Sequence, residues 1–581
     1  MRDPRRILPL ALVLVALLLG GCVSLPTDGP VVDGRVSDAD DTRRASDIDA
    51  RPPASGASRT EVVTGFLDAM TAWPIQTNVA KKYLTDEAAA GWNPEQETVV
   101  YSDSLPARES GGSVDVQLNG ADSLDAVGGW RGSVPGDELV MSFRVTVEDG
   151  EYRITDPRDA LVVPATWFQQ RYRQVSLYYF DPIAQILVPE PVFVPQGDQL
   201  ATSLVSSLLA GPPPRASGVV RSFIPPGLSV GLSVPVNDAG VADVDLVGDA
   251  PRLTAEEAEL MLAQLAWTLR QDGSITAIRV TVGGADLPIP GGASQYPVEA
   301  AQEFDPAGDK TTTLLFGLSA GRLVWGGPGK LVAASGAFGA PDAGLEAVAA
   351  RPDAELVAAV DRDGGRVRIG PIRDDPDADP TPRTVLSGGS YARPTWDVAG
   401  RLWVLERRTA GARVWLVEGE QVREIEVPGI SGTGAQQLVV SRDGTRLVAV
   451  VRTIAGDEVL GARVAINGRG RVDQVRAPFL VRAAEAARID DIVWTSPIRI
   501  GILTPTAPGK LYEVDVVAAD GASFGIDVLS TIVTGRLVGL AAAPTAESPM
   551  FAVYADHYVD LVDQREYRSG TTVLTQLHFA G

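Results

Sequence analysis

Cys22, the only cysteine, and two histidines, His557 and His578, are all that the 581 residues offer of the side chains that most often act as nucleophiles, bases or metal ligands. No HExxH or CxxC spacing occurs, so zinc sites and Cys/His nucleophile pairs have no residues to work with, and no metal ligand or cofactor site is expected. Cys22 instead closes Leu19-Gly20-Gly21-Cys22, which has the form of a lipobox. Small residues there give the signal peptidase access, and the sulfur carries diacylglycerol. Leu19, Gly20 and Gly21 are the predicted recognition residues, although Gly20 is not the commonest choice at its position. The basic stretch Met1–Arg6 and the aliphatic run Ile7–Leu19 precede them as the n- and h-regions of a secretory signal. That run falls short of the roughly 20 apolar residues of a bilayer span. An ordinary signal peptide with an incidental cysteine is the alternative.

Other patterns carry less. Gly227-Leu228-Ser229-Val230-Gly231 and Gly317-Leu318-Ser319-Ala320-Gly321 match GxSxG, but strand-like residues follow both, whereas a nucleophile elbow leads from a strand into a helix. Asp361-Arg362-Asp363-Gly364 opens like a calcium loop, yet Ile372 stands where the closing Glu belongs, so a turn is expected. Gly329-Lys330 and Gly509-Lys510 are each followed by Leu and lack the upstream Gly of a phosphate loop. Carboxylate pairs stay open, because 74 acidic residues allow many and a propeller glycosidase would need two. The ten Trp fall mostly at strand positions, where core packing is the simpler use.

Charge narrows the partners. The chain carries a formal charge of -23, and removing residues 1–21 takes away three Arg and one Asp, leaving -25. Phosphate backbones and anionic headgroups repel such a surface, which excludes nucleic acid and leaves acyl chains as the route to the membrane.

These residues must be positioned by several modules. Residues 23–58 contain no aromatic and are rich in Asp, Pro, Ser, Gly and Arg, so they cannot bury enough surface to fold. A tether of 36 residues spans roughly 30 to 36 Å. Ser58-Arg59-Thr60-Glu61 reads as a capping box ahead of a helix with Val62, Val63, Phe66, Leu67, Met70 and Trp73 on one face, stopped by Pro74. A short helix near Val79–Leu84 and strands at Thr98–Tyr101, Ser113–Leu118 and Leu139–Val147 complete an α+β unit. The last strand has Leu139, Met141, Phe143, Val145 and Val147 inward.

A second unit runs through a strand at Val175–Phe180, a helix after Asp198 through Leu200, Leu204 and Leu208, and a strand at Ala242–Leu246. A helix capped by Thr254 follows, with Ala258, Met261, Leu262, Leu265 and Leu269 in one stripe, and then a strand at Ile275–Val282. This order fits a small α/β domain with a mixed sheet. From Phe304 on, Asp353, Asp397 and Asp443 recur at spacings of 44 and 46, each in a tight turn that feeds an apolar strand. Second strands follow at Arg366–Ile369, Arg413–Val417, Arg463–Ile466 and Lys510–Val514, with a degenerate copy at Ile492–Leu503. The period is that of a four-stranded blade and predicts about six blades, a pair of β-sandwiches being the alternative. The fold class is thus multi-domain: two small α+β domains followed by a β-propeller. The boundaries are residues 1–21 for the signal peptide, 22–58 for the lipidated Cys and tether, 59–172 and 173–300 for the α+β domains, and 304–581 for the propeller.

The segments Leu177-Tyr178-Tyr179, Leu187-Val188-Pro189-Glu190, Leu208-Leu209-Ala210-Gly211-Pro212, Ile224-Pro225-Pro226-Gly227, Val244-Asp245-Leu246 and Trp267-Thr268-Leu269 resemble a GerMN domain of the sporulation and germination type. The whole order of signal, lipobox, tether, α+β unit, GerMN-like domain and propeller resembles the actinobacterial LpqB lipoprotein family. What that resemblance implies is a non-catalytic accessory to the MtrAB two-component system. Anchored at the extracytoplasmic face of the cell membrane, such a lipoprotein acts on the sensor kinase's extracytoplasmic part and influences envelope homeostasis and division. A propeller hydrolase of envelope glycans and a passive glycan-binding scaffold are the competing classes.

Overall fold

The computed structural model describes residues 49–197, 199–249, 253–308, 311–373, 381–524, 530–545, 548–569 and 573–581. The signal peptide, Leu19, Gly20, Gly21, Cys22, nearly all of the tether and Asp198 lie outside the described residues. The compact unit is Ser46–Gly581.

Order starts where the capping box stands. Ser58 Oγ accepts from Glu61 N at 3.3 Å and the Glu61 carboxylate accepts from Ser58 N at 2.7 Å, which closes the first turn of the helix Arg59–Ala69. The helix ends at its C-cap Met70, before Pro74 can act, and Thr71 Oγ1 donates to the Asp68 carbonyl there. Trp73 therefore leaves the helical face and packs edge-on against Trp167 at 5.9 Å. Phe66 packs on Trp92 and Phe143 and roots the helix on a sheet built around Ser113–Asp125, with Glu97–Ser104 and Val140–Glu148 beside it. Met141, Phe143 and Val145 are buried as their alternation predicts, but Val147 is 57 % exposed because the strand runs on past the core.

In the second domain Tyr172–Phe180 pairs with Leu187–Pro195, a strand the sequence reading did not identify, and the two form a sheet of their own. Val241–Val247 and Ala277–Val282 pair in parallel inside a separate mixed sheet, so the expected single sheet is divided. The helix Ala255–Leu269 explains the division. The predicted single stripe is too narrow, since Leu260 through Leu269 are all buried. One side meets the hairpin through Thr268 Oγ1, which accepts from Tyr178 N, and Gln264 Nε2, which donates to the Tyr178 carbonyl. A polar residue at such a position is tolerated because it satisfies strand amides that would otherwise be orphaned.

Among the described residues the remaining strands form six antiparallel sheets, each a run of four strands with a fifth added to one of them, the blades of a propeller. In blade 1, Leu315–Ser319 pairs on one side with Arg322–Gly327 and on the other with Leu574–Phe579, so the last strand of the chain closes the first blade. Leu345–Ala350, Thr395–Trp396, Ala435–Val440, Asp491–Ser496 and Leu537–Ala541 open blades 2 to 6. The recurring aspartates pin the turns after three of these strands. Asp397 accepts from Arg401 N at 3.0 Å, Asp443 from Thr445 N at 2.8 Å and Asp353 from Glu355 N at 3.0 Å. The repeat visible in the sequence is a repeat of this turn chemistry.

Candidate functional site

The GxSxG serines are held in sheet, not in elbows. Ser229 starts the short strand Ser229–Val230, and Ser319 ends Leu315–Ser319 in a hairpin whose register pairs it with Arg322. Asp361 also ends a strand, and its carboxylate is gripped by Arg366 at 2.8 Å and Arg368 at 2.5 Å. Among the described residues no group of three or more His, Cys, Asp or Glu side chains is arranged to hold a metal ion.

Two other places gather charge. The first lies where the second domain meets blade 4. Glu190, on the strand Leu187–Pro195, is 2 % exposed and faces Arg446 at 3.0 Å and Arg463 on its other oxygen. Arg446 also donates to the Pro189 carbonyl and pairs with Asp443 at 3.3 Å. The turn aspartate thus orients the arginine that reaches across. Beside this polar knot, Phe524 of the propeller packs on Trp130 at 5.6 Å and Phe168 at 5.9 Å, both from the first domain. Arg215 stacks over the Phe479 ring at 5.0 Å and donates to the Arg131 carbonyl. Three domains share this junction, and apolar and ionic contacts hold it together.

The second place is the opposite mouth of the propeller axis. Gln437 stands near the start of Ala435–Val440 and the Ser441–Arg446 turn at its end, so mouth and junction are separated by the length of that strand, about 20 Å. The mouth is a polar cup of about 240 Å³, lined among others by Glu346, Tyr391, Arg393, Arg407, Gln437 and Asp490. Its floor is Arg393 of blade 3, which crosses the axis. One guanidinium nitrogen meets His578 Nδ1 of blade 1 at 3.0 Å, and the other donates to the Ile492 carbonyl at 3.2 Å and lies 3.3 Å from Asp491 in blade 5.

Asp491 is committed on both oxygens, accepting from Ile492 N at 3.0 Å and Leu540 N at 2.9 Å. Burial raises its pKa and Arg393 works against that rise. His578 is driven well below the usual imidazole range by burial and by the Arg393 charge. The neutral ring accepts from Arg393. Asp490, at the rim, is raised by partial burial and by the neighbouring Asp491. The charged groups at the floor are therefore spent on joining blades 1, 3 and 5. Among the described residues, no nucleophile activated by a base is assembled at that floor. Sequence reasoning missed this hub, because Arg393 and His578 lie 185 residues apart and neither stands in a motif.

Fold and site together define a multi-domain protein in which two small α+β domains, the second GerMN-like, are joined to a β-propeller. The chain matches the family described as lipoprotein LpqB, N-terminal domain, over residues 52–169, sporulation and spore germination over 176–288, and lipoprotein LpqB beta-propeller domain over 321–539. It belongs to the LpqB lipoprotein family. It is similar to lipoprotein LpqB of Thermobifida fusca (strain YX), 27% identical over 91% of this chain and 92% of that one. The LpqB of Streptomyces coelicolor is 26% identical over 98% and 97%. The tandem GerMN domains of the sporulation protein GerM from Bacillus subtilis match 22% of this chain and 46% of theirs, at 20% identity and a TM-score of 0.19. These relatives are named as lipoproteins. No helix of the described residues is long and apolar enough to cross a membrane.

Proposed function

We propose that the protein is a non-catalytic adaptor held at the extracytoplasmic face of the cell membrane by acyl chains on Cys22. As such it acts as accessory to a two-component sensor kinase of the MtrAB type in envelope homeostasis and division. The carrying observation is the division of labour along the propeller axis. One end is consumed by the three-domain junction around Glu190, and the other offers a rigid polar cup whose floor charges are already paired. A pre-organised surface of this kind favours binding, since little order has to be imposed when a partner docks. The charged groups such a surface carries govern register and association rate more than affinity.

The test immobilises the compact unit from Ser46 onward and titrates it with the kinase's extracytoplasmic domain, while the same preparation is assayed on envelope glycans. Saturable kinase binding without glycan turnover is expected. Turnover without kinase binding would replace this reading by a hydrolase. For the anchor, radiolabelled palmitate should enter the wild-type chain and not Cys22→Ala, and the variant should leave the membrane fraction.

A further inference from the structure

The polar groups around the open cup fall into two sets. One set holds the innermost strands together. Gln437 accepts from Ile492 N at 3.2 Å and donates to the Asp490 carbonyl at 2.6 Å. Gln576 accepts from Val348 N at 2.9 Å and donates to the Val348 carbonyl at 3.1 Å. With Arg393, His578 and Asp491 these side chains are consumed by the ring itself.

The other set is unspent. Glu346 stands at the start of the innermost strand of blade 2, Arg407 follows the strand Leu402–Glu406 of blade 3, and Asp490 directly precedes the innermost strand of blade 5. All three line the same cup, and the two carboxylate residues are exposed. Among the described residues none of the three makes an ion pair, and the Arg407 guanidinium has only a long contact of 3.5 Å to the Tyr391 carbonyl. In a ring of six, blades 2 and 5 face each other across the axis, and blade 3 stands between them on one side. Along that side of the mouth the free charges alternate: negative, positive, negative. Partial burial and the neighbouring Asp491 hold Asp490 above the usual carboxylate range, so a cation arriving there gains more than it would at open surface.

A ring that fixes its own geometry with one set of side chains and leaves alternating charges on another presents a pattern for complementary charges. A neutral sugar answers none of them. A polypeptide carries both signs on one backbone, and the formal charge of -23 steers a net-cationic segment toward the chain.

We propose that the open mouth of the propeller binds an extended polypeptide segment whose basic, acidic and basic side chains, in that order, meet Glu346, Arg407 and Asp490. The inference rests on the adaptor reading for taking a protein as the occupant, and it adds the charge pattern of the docking segment.

An array of short synthetic peptides, probed with the purified full chain, tests it. The array holds segments tiled across the kinase's extracytoplasmic domain, designed peptides with the basic, acidic, basic order, and the same peptides with every charge reversed. The wild type should retain the designed peptides and not their reversals. Glu346→Gln, Arg407→Gln and Asp490→Asn break no ion pair of the folded chain, and each should weaken retention about two- to fivefold, the range of exposed ion pairs. The double variant Glu346→Lys/Asp490→Lys should lose the designed peptides. The proposal falls if those peptides are retained no better than their reversals, or if the double variant keeps the wild-type preference. It falls equally if envelope glycans are turned over and Glu346→Gln abolishes the turnover, since the two carboxylates would then be a catalytic pair. Retention of the designed peptides without any kinase segment would leave the charge pattern standing and remove the kinase. Kinase segments held equally by the wild type and the double variant would keep the kinase and remove the pattern.

Discussion

At the end of the propeller that faces the first two domains, Arg446 and Arg463 share the Glu190 carboxylate across a domain boundary. At the open mouth, Arg393 stays within its own domain and spends its charge on His578 and Asp491. Both ends bury guanidinium groups, but the junction converts them into contact between modules, whereas the mouth converts them into stiffness of the ring. What the difference teaches is that a propeller can be held at one end and kept open at the other with one residue type. The side on which the matching carboxylate stands decides which happens.

The sharpest way to break this comparison is Glu190→Ala. It leaves the buried Arg463 without a carboxylate and Arg446 with Asp443 alone, and should cost about 3 to 5 kcal/mol in chemical denaturation. It should also expose the segment between the second domain and blade 1 to limited proteolysis, while the propeller itself still melts as a unit. If Glu190→Ala unfolds all domains together with unchanged proteolysis, the junction is not a separable weld.

Arg393→Met attacks the other end and should cost about 2 to 3 kcal/mol, because Asp491 keeps its two backbone donors but loses its cation. Proteolysis between domains should stay as in the wild type, and the loss should appear in the propeller transition alone.

A smaller, pH-dependent effect belongs to His578. Its folded pKa is depressed below the ordinary imidazole value of about 6.5, so the unfolded chain binds a proton more readily than the folded one. The stabilisation is complete above about 6.5 and is lost as pH falls from there toward the folded value. His578→Gln keeps an acceptor for Arg393 and should flatten the fall in stability between about pH 6.5 and 5. An unchanged slope would show that the ring is not held neutral. The smallest change is Ser58→Ala, which removes a helix cap remote from both ends. A Tm shift of about 1 to 2 °C with binding and interdomain proteolysis unaltered would set the scale for a purely local loss.

Much of the fold could be read without coordinates, and the residues that allowed it share a property. The Ser58 and Thr254 capping boxes close over three residues, and the Asp353, Asp397 and Asp443 turns over two to four. Each is a local hydrogen bond whose partners sit together in the sequence, so residue type and spacing are enough. The strand Leu187–Pro195 escaped because it is buried on both faces: it lacks the alternation that marks a half-exposed strand, and its prolines argue against a ladder. The helix Ala255–Leu269 was recognised as a helix but assigned too narrow a core face, since a period of 3.6 cannot report how many neighbours surround it.

By itself, then, the sequence determined where turns and caps fall, that strands repeat at blade length, that the mature surface is acidic, and that one cysteine stands in a lipidation context. Only the tertiary structure decided that the final strand closes the first blade, that Arg393 crosses the axis, and that Glu190 meets Arg446 from 256 residues away. Partners so far apart leave no periodic trace. Their pairing is set by which buried charge finds its complement once the apolar surfaces have packed, and that is a property of the assembled core.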